Sequence, residues 1–470
     1  MDETDNKKTI CLNMIVKDEG HIIESTLINI LEHVNIDYWV ISDTGSSDDT
    51  IDIINKFFES RSIPGELHED KWVDFGTNRT IALDYAFNKT DYVLFFDADD
   101  LIVGDFKLPE LMDKDAYLIK FGNVDKWTRY ALVSNRIKWK WLGVMHEFIQ
   151  CCHTDISTES INGDYYFDGR HMGARSKNPN KFLDDALILE KAYKEETTSL
   201  KYRYSYYCGQ CFSGAGEHEK AIEWYNIALQ TQLSSDYKFV ACINIGNIYS
   251  DFLKNNEQAI LYWMKSLEHD PSRIEGISKV CEYFYNKGSH FMVNSLYERI
   301  KGYTIFETHD KLFSDPTKYY TLEYYNSISA FYCNNKESGY ECCKKLLLAN
   351  KYIDITCSNI RFYNSLLESD EDDSLLFWFC DYIEKTHNAF DTEKALKMFK
   401  EYETLIKTRL ITKHEYLSDI LNDEANENIR LIISQTNASI ETVKEHLAKN
   451  NDDIVNTILS ISEENSNTSV

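Results

Sequence analysis

Residues 92–100 read Tyr-Val-Leu-Phe-Phe-Asp-Ala-Asp-Asp, an apolar run that ends in three aspartates. Five apolar residues in a row, rich in aromatic side chains, are typical of a strand that is buried on both faces. Carboxylates that directly follow such a strand are costly to place unless solvent or a cation faces them. The stretch therefore predicts a buried strand that ends at a polar edge of a sheet.

The chain around this run alternates short apolar runs with helical patterns from residue 8 to about residue 125. Strands are predicted at 9–16, 38–42, 65–69 and 92–96, and helices at 21–33, 50–58 and 78–87. This order is typical of a parallel sheet that helices cover on both faces. From about 115 to 172 the pattern changes, and short alternating runs at 117–121 and 130–133 predict antiparallel strands.

Acidic loops follow three of the predicted strands. They are Val-Lys-Asp-Glu at 16–19, Asp-Thr-Gly-Ser-Ser-Asp at 43–48 and Asp-Ala-Asp-Asp at 97–100. Ligands of such sheets bind at the carboxyl ends of the strands, so we expect these loops to converge. Mg²⁺ and Mn²⁺ prefer oxygen ligands, and one or two carboxylates plus phosphates usually suffice. A single acidic triplet is more often a solvated turn, but the three loops together predict a divalent-cation site.

The three loops resemble the catalytic domain of family-2 glycosyltransferases, which has the α/β GT-A fold with a Rossmann-like mixed sheet. The resemblance is carried by residues 15–19, 42–50 and 96–100, in the family's order, and by Asn78-Arg79 in the helix before the third loop. It covers about residues 8–175 and implies a catalytic domain over 8–178. It further implies transfer of a sugar from a nucleotide-sugar, with UDP as the expected nucleotide, to a hydroxyl acceptor with inversion.

The resemblance also implies roles for single residues of these loops. Glu19 and Asp43 would hold the nucleoside base and ribose, Arg79 would lie near the base or the phosphates, Asp97 would contact the ribose or the sugar, and Asp99 would ligate Mn²⁺ or Mg²⁺. For Arg79, a surface charge on a helix is the alternative. Asp100 either supports the metal ligand or contacts the acceptor.

The stretch 141–147, Trp-Leu-Gly-Val-Met-His-Glu, ends in a polar pair within an apolar context. Inverting relatives place a carboxylate base in this part of the chain, and it takes the proton of the attacking acceptor hydroxyl. The resemblance makes Glu147 the candidate catalytic base, although this sequence has His-Glu where Glu-Asp is more common. His146 as base or ligand, and a structural role for the pair, are the alternatives.

A loop with glycines and basic residues follows at 168–176. The resemblance implies that His171 in this loop completes the metal sphere, because an imidazole is an acceptable ligand for Mn²⁺. A structural histidine is the alternative. Arg170 and Arg175 would clamp the diphosphate of the donor. Two tryptophans, Trp139 and Trp141, either stack on a sugar face or pack in the core.

The sequence becomes helical and repetitive after about residue 180. Gly209, Phe212, Ala221, Tyr225 and Ala228 resemble the small and aromatic positions of a tetratricopeptide repeat, and similar helix pairs predict an all-α solenoid over 180–420. Helix pairs of this kind must stack on one another to bury their apolar faces. Such a solenoid would present a peptide, protein or glycan acceptor, or bind a protein partner.

A small C-terminal unit is predicted over 424–463, with helices at 428–435, 440–449 and 453–461. Its stretches Ile-Ile-Ser-Gln-Thr-Asn at 432–437 and Asp-Asp-Ile-Val at 452–455 resemble the ubiquitin-associated-like domain of the nascent-polypeptide-associated complex alpha subunit. A plain three-helix bundle that caps the solenoid is the alternative, and domains of this type need not bind ubiquitin. Residues 464–470 predict a disordered tail.

Composition limits the classes of partner. The 50 basic and 77 acidic residues give a formal charge of −27, which argues against binding to nucleic acid. We find no signal peptide and no apolar stretch close to the roughly 20 residues of a membrane helix. The twelve cysteines, including the Cys-x-x-Cys pair Cys208 and Cys211, are interpreted as reduced core residues because no second pair completes a zinc set. We therefore predict a cytoplasmic protein without a membrane span.

Two other function classes remain open from the sequence. One is an interaction scaffold built on the helical repeats, with a degenerate transferase domain in front of it. The intact Asp-x-Asp motif and the nearby Glu147 and His171 argue against degeneracy. The other is a nucleotidyltransferase, which shares the sheet and the cation but needs a Gly-rich phosphate loop, whereas residues 16–20 hold one glycine.

Overall fold

A computed structural model of the chain describes residues 7–123, 127–302, 317–370, 372–385, 440–450 and 453–467, with a few single positions between 402 and 438. The described residues divide into two compact units. The first runs to Gly276 and the second begins at Ile277. All three acidic loops lie in the first unit.

Four parallel strands build one side of the sheet. They are β1 (Ile10–Val16), β2 (Tyr38–Asp43), β3 (Gly65–Glu69) and β4 (Tyr92–Phe95), in the order β3-β2-β1-β4. β1 is parallel to β2 and β4, and β2 is parallel to β3. Each strand begins and ends within one residue of its predicted bounds, because apolar runs between polar turns mark buried strands sharply.

Mostly antiparallel strands extend the sheet beyond β4. They are β5 (Asp100–Gly104), β6 (Ala116–Phe121), β7 (Trp127–Ser134), β10 (Thr158–Ser160) and β11 (Tyr165–Gly169), with the order β4-β7-β6-β11-β5 and with β10 beside β6. A separate antiparallel pair consists of β8 (Trp139–Leu142) and β9 (Phe148–Cys151). Nine of the described strands therefore form one mixed sheet, which confirms the predicted mixed α/β domain.

Helices cover both faces of the parallel strands. Along β1, Ile10 and Leu12 belong to the core that contains residues of α1 (Ile23–His33) and α2 (Thr50–Glu59). Cys11 points to the opposite core, which contains Leu83 of α3 (Phe75–Ala86). Because successive side chains of a strand alternate between faces, this arrangement explains why the strand is a continuous apolar run.

The start of α3 places one arginine at the sheet edge. The helix begins three residues before the predicted start at 78, because Asp74 caps it: the Asp74 carboxylate accepts the Thr77 N–H at 2.7 Å. A Cβ at Gly76 would lie 2.5 Å from the carbonyl oxygen of Gly143, so only glycine permits this close approach. The first turn of α3 is thereby packed against the loop that leads to Glu147.

Helices follow the sheet in the first unit. They are α4 (Lys181–Glu195), α5 (Leu200–Gly214), α6 (His218–Gln230), α7 (Ser235–Asp251) and α8 (Asn256–Lys265). Their core also contains Met145 from the sheet domain. A Cβ at Gly209 would lie 2.7 Å from the ring of Tyr225, so the glycine allows α5 and α6 to pack closely. The tetratricopeptide assignment and the boundary at 178–180 remain predictions.

The Cys-x-x-Cys pair lies inside α5. Cys208 and Cys211 are both buried and free. Burial raises the pKa of the Cys211 thiol to about 12, which keeps it protonated. The interpretation of these cysteines as core residues is confirmed.

The second unit is helical throughout its described residues. Its helices are α9 (Glu275–Asn286, which begins at the boundary), α10 (His290–Ile300), α11 (Thr317–Tyr332), α12 (Lys336–Leu348), α13 (Ile353–Asn359), α14 (Asn364–Ser369), α15 (Ser374–Lys385), α16 (Ile440–Lys449) and α17 (Ile454–Asn467). A largely helical region after the sheet is therefore confirmed. No described helix has the length and apolarity that crossing a membrane requires.

The C-terminal predictions have mixed outcomes. α16 has the bounds predicted for the second helix of the small unit, and α17 begins one residue after the predicted start of the third. α17 continues to Asn467, so residues 464–467 are helical where the sequence predicts a disordered tail. Most of the predicted first helix at 428–435, residues 468–470 and much of the predicted solenoid between 386 and 420 lie outside the described residues. The ubiquitin-associated-like assignment and the boundary at 424 remain predictions.

Candidate active site

The loops after β1 and β2 are tied together at the carboxyl edge of the sheet. Asp18, in the left-handed region with φ 55°, accepts the N–H of Ser47 at 2.7 Å. The Glu19 N–H donates to the hydroxyl of Thr50, the first residue of α2, at 2.8 Å. The predicted convergence of these two loops is confirmed, and it fixes the backbone of Glu19.

Asp43, the last residue of β2, is 1% exposed. Its Oδ1 accepts the N–H groups of Gly45 and Ser46, both at 2.8 Å, and Gly45 adopts φ 104°, which favours glycine. Its Oδ2 is buried and has no hydrogen-bond partner among the described residues. A buried acceptor without a partner costs about 1–3 kcal/mol, so a donor group of a ligand would be stabilised there.

Arg79 on α3 connects two of the predicted site residues. Its Nε donates to Oε1 of Glu147 at 2.7 Å, and its Nη2 donates to Oδ1 of Asp97. Its guanidinium also lies over the ring of Trp141, 5.2 Å from the ring centre. Burial alone would lower the pKa of Arg79, but Asp97 and Glu147 more than offset this and raise it. The alternative of a surface charge is therefore wrong: Arg79 is a buried cation between two carboxylates.

A second arginine, which the sequence analysis missed, completes this cluster. Nη2 of Arg129 on β7 lies 3.4 Å from both Asp97 and Asp100. Burial would raise the pKa of Asp97, but Arg79 and Arg129 hold it well below its usual value. Burial and the neighbouring charge of Asp97 raise the pKa of Asp100. We call Arg79, Arg129, Asp97, Asp100 and Glu147 the arginine corner.

Asp99, between these residues, faces a different environment. Its Oδ2 accepts the N–H of Gly173 at 3.2 Å. Its main-chain oxygen accepts the Nε–H of Arg170 at 3.0 Å, and Arg170 also donates to the hydroxyl of Thr26 at 2.8 Å. Arg170 therefore holds the backbone of Asp99 in place, which differs from the predicted clamp on a diphosphate.

Glu19 and Asp99 are held by the same short loop. The Ala174 N–H donates to Oε1 of Glu19 at 3.2 Å. A Cβ at Gly173 would lie 3.1 Å from Oε1 of Glu19 and 3.2 Å from Oδ2 of Asp99. Burial raises the pKa of Glu19, the Ala174 N–H opposes this rise, and the nearby charge of Asp99 adds to it. Neither carboxylate forms an ion pair with a described lysine or arginine.

His171 lies in this loop, exposed and with φ 53°. We call Glu19, Asp99 and His171 the open corner. These residues face one cleft of about 660 Å³, here called the acidic cleft, whose lining includes Glu19, Arg79, Asp97, Asp99, His171 and Arg175. Asp43 and Glu147 are not among its lining residues, and Glu147 is linked to it through Arg79.

Arg175 has a partner that the sequence did not indicate. Its Nη2 donates to Oδ1 of Asp185 on α4, and its guanidinium lies 4.8 Å from the ring centre of Phe75. Burial raises the pKa of Asp185, and the charge of Arg175 opposes this. Arg175 therefore joins the sheet domain to the first helix after it while still lining the acidic cleft.

His146 has a structural environment. Its ring stacks on that of Tyr207, with centres 3.9 Å apart, and burial together with Arg203 lowers its pKa to about 4. Both tryptophans of the predicted sugar-stacking pair are buried as well. Trp139 donates from its indole to the carbonyl of Ser134, and Trp141 packs edge-on against Phe95. For Trp139 and Trp141, core packing is confirmed.

Comparison with known proteins gives one family and several solved structures. Residues 12–154 match the sequence model of glycosyl transferase family 2, a range that contains Glu19, Asp43, Arg79, Asp97, Asp99 and Glu147 and stops before His171 and Arg175. No curated protein matches the chain.

The solved structures have low similarity. One is S. aureus TarS (14% identity, TM-score 0.28, covering 53% of this chain and 54% of TarS). Another is TarS 1–349 in complex with UDP-GlcNAc (12%, TM-score 0.26, 69% of this chain and 92% of that one). A third is the mannosyltransferase PcManGT from Pyrobaculum calidifontis in complex with GDP-Man and Mn²⁺ (14% identity, TM-score 0.26, covering 57% of this chain and 88% of PcManGT). This chain thus spans about half the length of the first of them.

TM-scores of this size carry no conclusion about substrate. The family match rests instead on the part of the sequence that forms the strands β1, β2 and β4 and their acidic loops. The N-terminal part of the chain therefore contains a domain that matches glycosyl transferase family 2 over residues 12–154, and a largely helical region follows it.

Proposed function

We propose that this domain transfers a sugar from a nucleotide-sugar to a hydroxyl group of an acceptor, with a divalent cation and with inversion. The open corner carries the proposal: Glu19 and Asp99 face one cleft, backbone N–H groups hold them, and no described lysine or arginine forms an ion pair with them. A carboxylate held in this way, as Asp99 is, suits a cation that a diphosphate also binds.

Mn²⁺ or Mg²⁺ is the proposed cofactor, and Asp99 and His171 would hold it. Carboxylate oxygen and imidazole nitrogen are acceptable ligands for such ions. No three metal-binding side chains form a ready-made cluster in the described part of the chain, so the donor's phosphates would complete the set. When bound, the cation would neutralise negative charge on the departing diphosphate.

The donor would extend from the open corner towards β2. We assign Glu19 and Asp43 to the base and ribose: Glu19 lines the acidic cleft, and Asp43 lies behind it with an Oδ2 that has no hydrogen-bond partner among the described residues. Asp97 would contact the ribose or sugar, and Arg79 and Arg175 would lie near the phosphates. UDP is the proposed nucleotide. UDP-GlcNAc and GDP-Man, the ligands of TarS and PcManGT, are the first donors to test.

Glu147 is the proposed base. The acceptor oxygen attacks the anomeric carbon as the bond between that carbon and the diphosphate oxygen breaks, and the hydroxyl proton moves to Glu147. The nucleoside diphosphate leaves with the bonding electron pair, so one displacement inverts the configuration. Support comes from Arg79, which fixes one Glu147 oxygen at 2.7 Å while its other end binds Asp97 at the acidic cleft.

The helical region is proposed to bind the acceptor or a protein partner, with the repeat and ubiquitin-associated-like character predicted above. A cytoplasmic location is also a proposal. The alternative, an interaction scaffold with a degenerate transferase domain, predicts that partner binding survives deletion of residues 1–180 and that no donor is turned over.

Hydrolysis of a nucleotide-sugar panel with Mn²⁺ or Mg²⁺ tests the function. Asp99→Asn is expected to lower donor turnover by at least about 100-fold, because a proposed metal ligand is lost. Glu147→Gln keeps an oxygen that accepts from Arg79 but takes no proton, so transfer falls by roughly 10²–10⁴ while donor binding by thermal shift persists. Asp105→Asn, an exposed aspartate of the same domain, is the control and should behave as wild type. Full turnover by Asp99→Asn would contradict the proposal.

A further inference from the structure

A second cleft of about 650 Å³ adjoins the acidic cleft. It lies between the segment before α3, the loop at Val144 and Met145, and the second half of α4. Four residues line both clefts: Trp72, Phe75, Arg175 and Ile188. We call this second cavity the side cleft. Because the two cavities share this wall, a molecule in the side cleft would be adjacent to a donor in the acidic cleft.

Trp72 gives the shared wall an aromatic face. Its side chain is 40% exposed, in contrast to the buried Trp139 and Trp141. It packs edge-on against Phe75, with ring centres 4.9 Å apart. A tryptophan that packs in a core is buried. An exposed tryptophan in a loop beside a cavity is typical of a residue that contacts a ligand.

The charges of the side cleft favour a neutral ligand. Its lining includes the carboxylates of Asp74, Glu195 and Glu196 but only two cations, Lys191 and Arg175. Arg175 is already paired with Asp185, and Lys191 with Glu195 at 3.9 Å, which leaves Asp74 and Glu196 in excess. Asp74 also accepts hydrogen bonds from Thr77, and Glu196 accepts one from the Thr198 N–H, so a ligand would bind to the remaining acceptor positions of these two carboxylates. A phosphate-bearing or otherwise anionic acceptor would meet excess negative charge here, whereas carboxylates accept hydrogen bonds from hydroxyl groups.

We propose that the side cleft binds the acceptor and that the acceptor is a neutral saccharide, with one sugar ring against the face of Trp72. The proposal rests on the proposed function, since an acceptor presupposes a donor. The apolar face of a sugar ring would pack against the indole of Trp72, and its hydroxyl groups would donate to the carboxylates of the lining. A neutral sugar would thus contact both the aromatic wall and the acidic residues of this cleft. The acceptor hydroxyl would then enter the acidic cleft past Trp72.

Two readouts on the full-length protein separate acceptor binding from donor use. Donor hydrolysis without an acceptor reports the acidic cleft alone. Transfer to neutral p-nitrophenyl glycosides of glucose, galactose, mannose and N-acetylglucosamine, with UDP-GlcNAc and GDP-Man as donors, reports both clefts. Trp72→Ala is expected to raise the KM for the glycoside about tenfold, the effect of losing one aromatic contact, and to lower the rate of transfer more than the rate of donor hydrolysis.

Three further variants make the test specific. Trp72→Phe should restore most of the transfer, because it keeps an aromatic face. Thr197→Trp, at an exposed position in the lining of the side cleft, should block transfer by filling the cavity and spare hydrolysis. Phe252→Ala removes an exposed aromatic ring that lines neither cleft and should change neither readout.

The outcomes distinguish this proposal from the proposed function. Equal losses of hydrolysis and transfer in Trp72→Ala would make Trp72 a donor contact and overturn the acceptor assignment. Transfer to peptides or to anionic glycans, with none to neutral glycosides, would overturn the acceptor class while the enzyme function stands. Absence of any donor hydrolysis by the wild type would overturn the function itself and this proposal with it.

Discussion

The carboxylates at the carboxyl edge of this sheet fall into two groups with different counter-charges. In the arginine corner, Arg79 pairs with Asp97 and Glu147, and Arg129 lies 3.4 Å from both Asp97 and Asp100. In the open corner, Glu19 and Asp99 are held by the backbone N–H groups of Gly173 and Ala174. Asp97, Asp99 and Asp100 come from one acidic loop, yet among these three only Asp99 forms no ion pair with a described lysine or arginine.

The two groups of carboxylates have different tasks, which the Asp-x-Asp motif does not distinguish. Paired carboxylates with buried arginines form a fixed framework, because breaking such a pair leaves an uncompensated charge inside the protein. Carboxylates that backbone dipoles orient remain free to bind a cation. Asp97 and Asp99, two residues apart in one motif, therefore have different roles. The comparison can be tested by removing either kind of support.

The largest effect is expected for Arg79→Met. The substitution leaves Asp97 and Glu147 partly buried without this partner, which should cost about 3–5 kcal/mol of the free energy of unfolding, measured with urea. Adding Asp97→Asn and Glu147→Gln to this variant should recover part of the loss, because the unpaired charges are gone. Arg136→Met, at an exposed arginine paired with Asp91, is the matched control and should change stability little. Equal losses in both variants would mean that the arginine corner is an ordinary surface network.

A smaller effect, confined to function, is expected for Gly173→Ala. The added Cβ would lie 3.1 Å from Glu19 and 3.2 Å from Asp99, so both carboxylate ends must shift. Since these are ends of flexible side chains, stability should change little, but the Mn²⁺ concentration for half-maximal donor hydrolysis should rise roughly tenfold. Gly302→Ala, where the new Cβ meets nothing within 4 Å, is the control. An unchanged Mn²⁺ requirement would contradict the open corner as the cation site.

The smallest effect is expected for Glu19→Gln as a function of pH. The pKa of Glu19 is raised by burial in the folded protein, so its contribution to stability is complete below its ordinary pKa near 4.5 and is lost as pH rises through the folded value. Glutamine still accepts the Ala174 N–H but does not titrate. The variant should therefore have the same unfolding midpoint as wild type near pH 4. At higher pH its midpoint should exceed that of wild type, by no more than about 2 °C. If the difference in unfolding midpoint between the variant and wild type instead became smaller as pH rises, the pKa of Glu19 would not be raised in the folded protein.

Much of this fold follows from local sequence. β1 to β4 lie within one residue of their predicted bounds, because a strand buried on both faces is a continuous apolar run and its ends are polar turns. The start of α3 was missed by three residues, since the cap at Asp74 and the close approach of Gly76 to Gly143 depend on a distant loop. The antiparallel part was predicted only in outline, because its pairings join segments far apart in the chain.

The candidate site divides in the same way. The loops with Glu19, Asp43, Asp97 and Asp99 are visible in the sequence, since each directly follows a buried strand. Arg129 carries no such signal: it lies 32 positions after Asp97 in an alternating strand that resembles many others. The sequence indicates Trp72 as a binding residue only weakly, as an aromatic residue in a polar loop before a predicted helix. Its exposure in the structure is the stronger observation.

The sequence by itself determined the mixed sheet, the order of its strands along the chain and the acidic character of its edge, because these depend on contacts between neighbours and on the period of apolar residues. Only the tertiary structure decided which carboxylate remains charged and accessible. That choice depends on where Arg79, Arg129 and the N–H groups of Gly173 and Ala174 lie in space, and these come from three separate segments of the chain. Electrostatic free energies depend on distance and burial rather than on sequence separation, so equal aspartates in one motif acquire unequal roles.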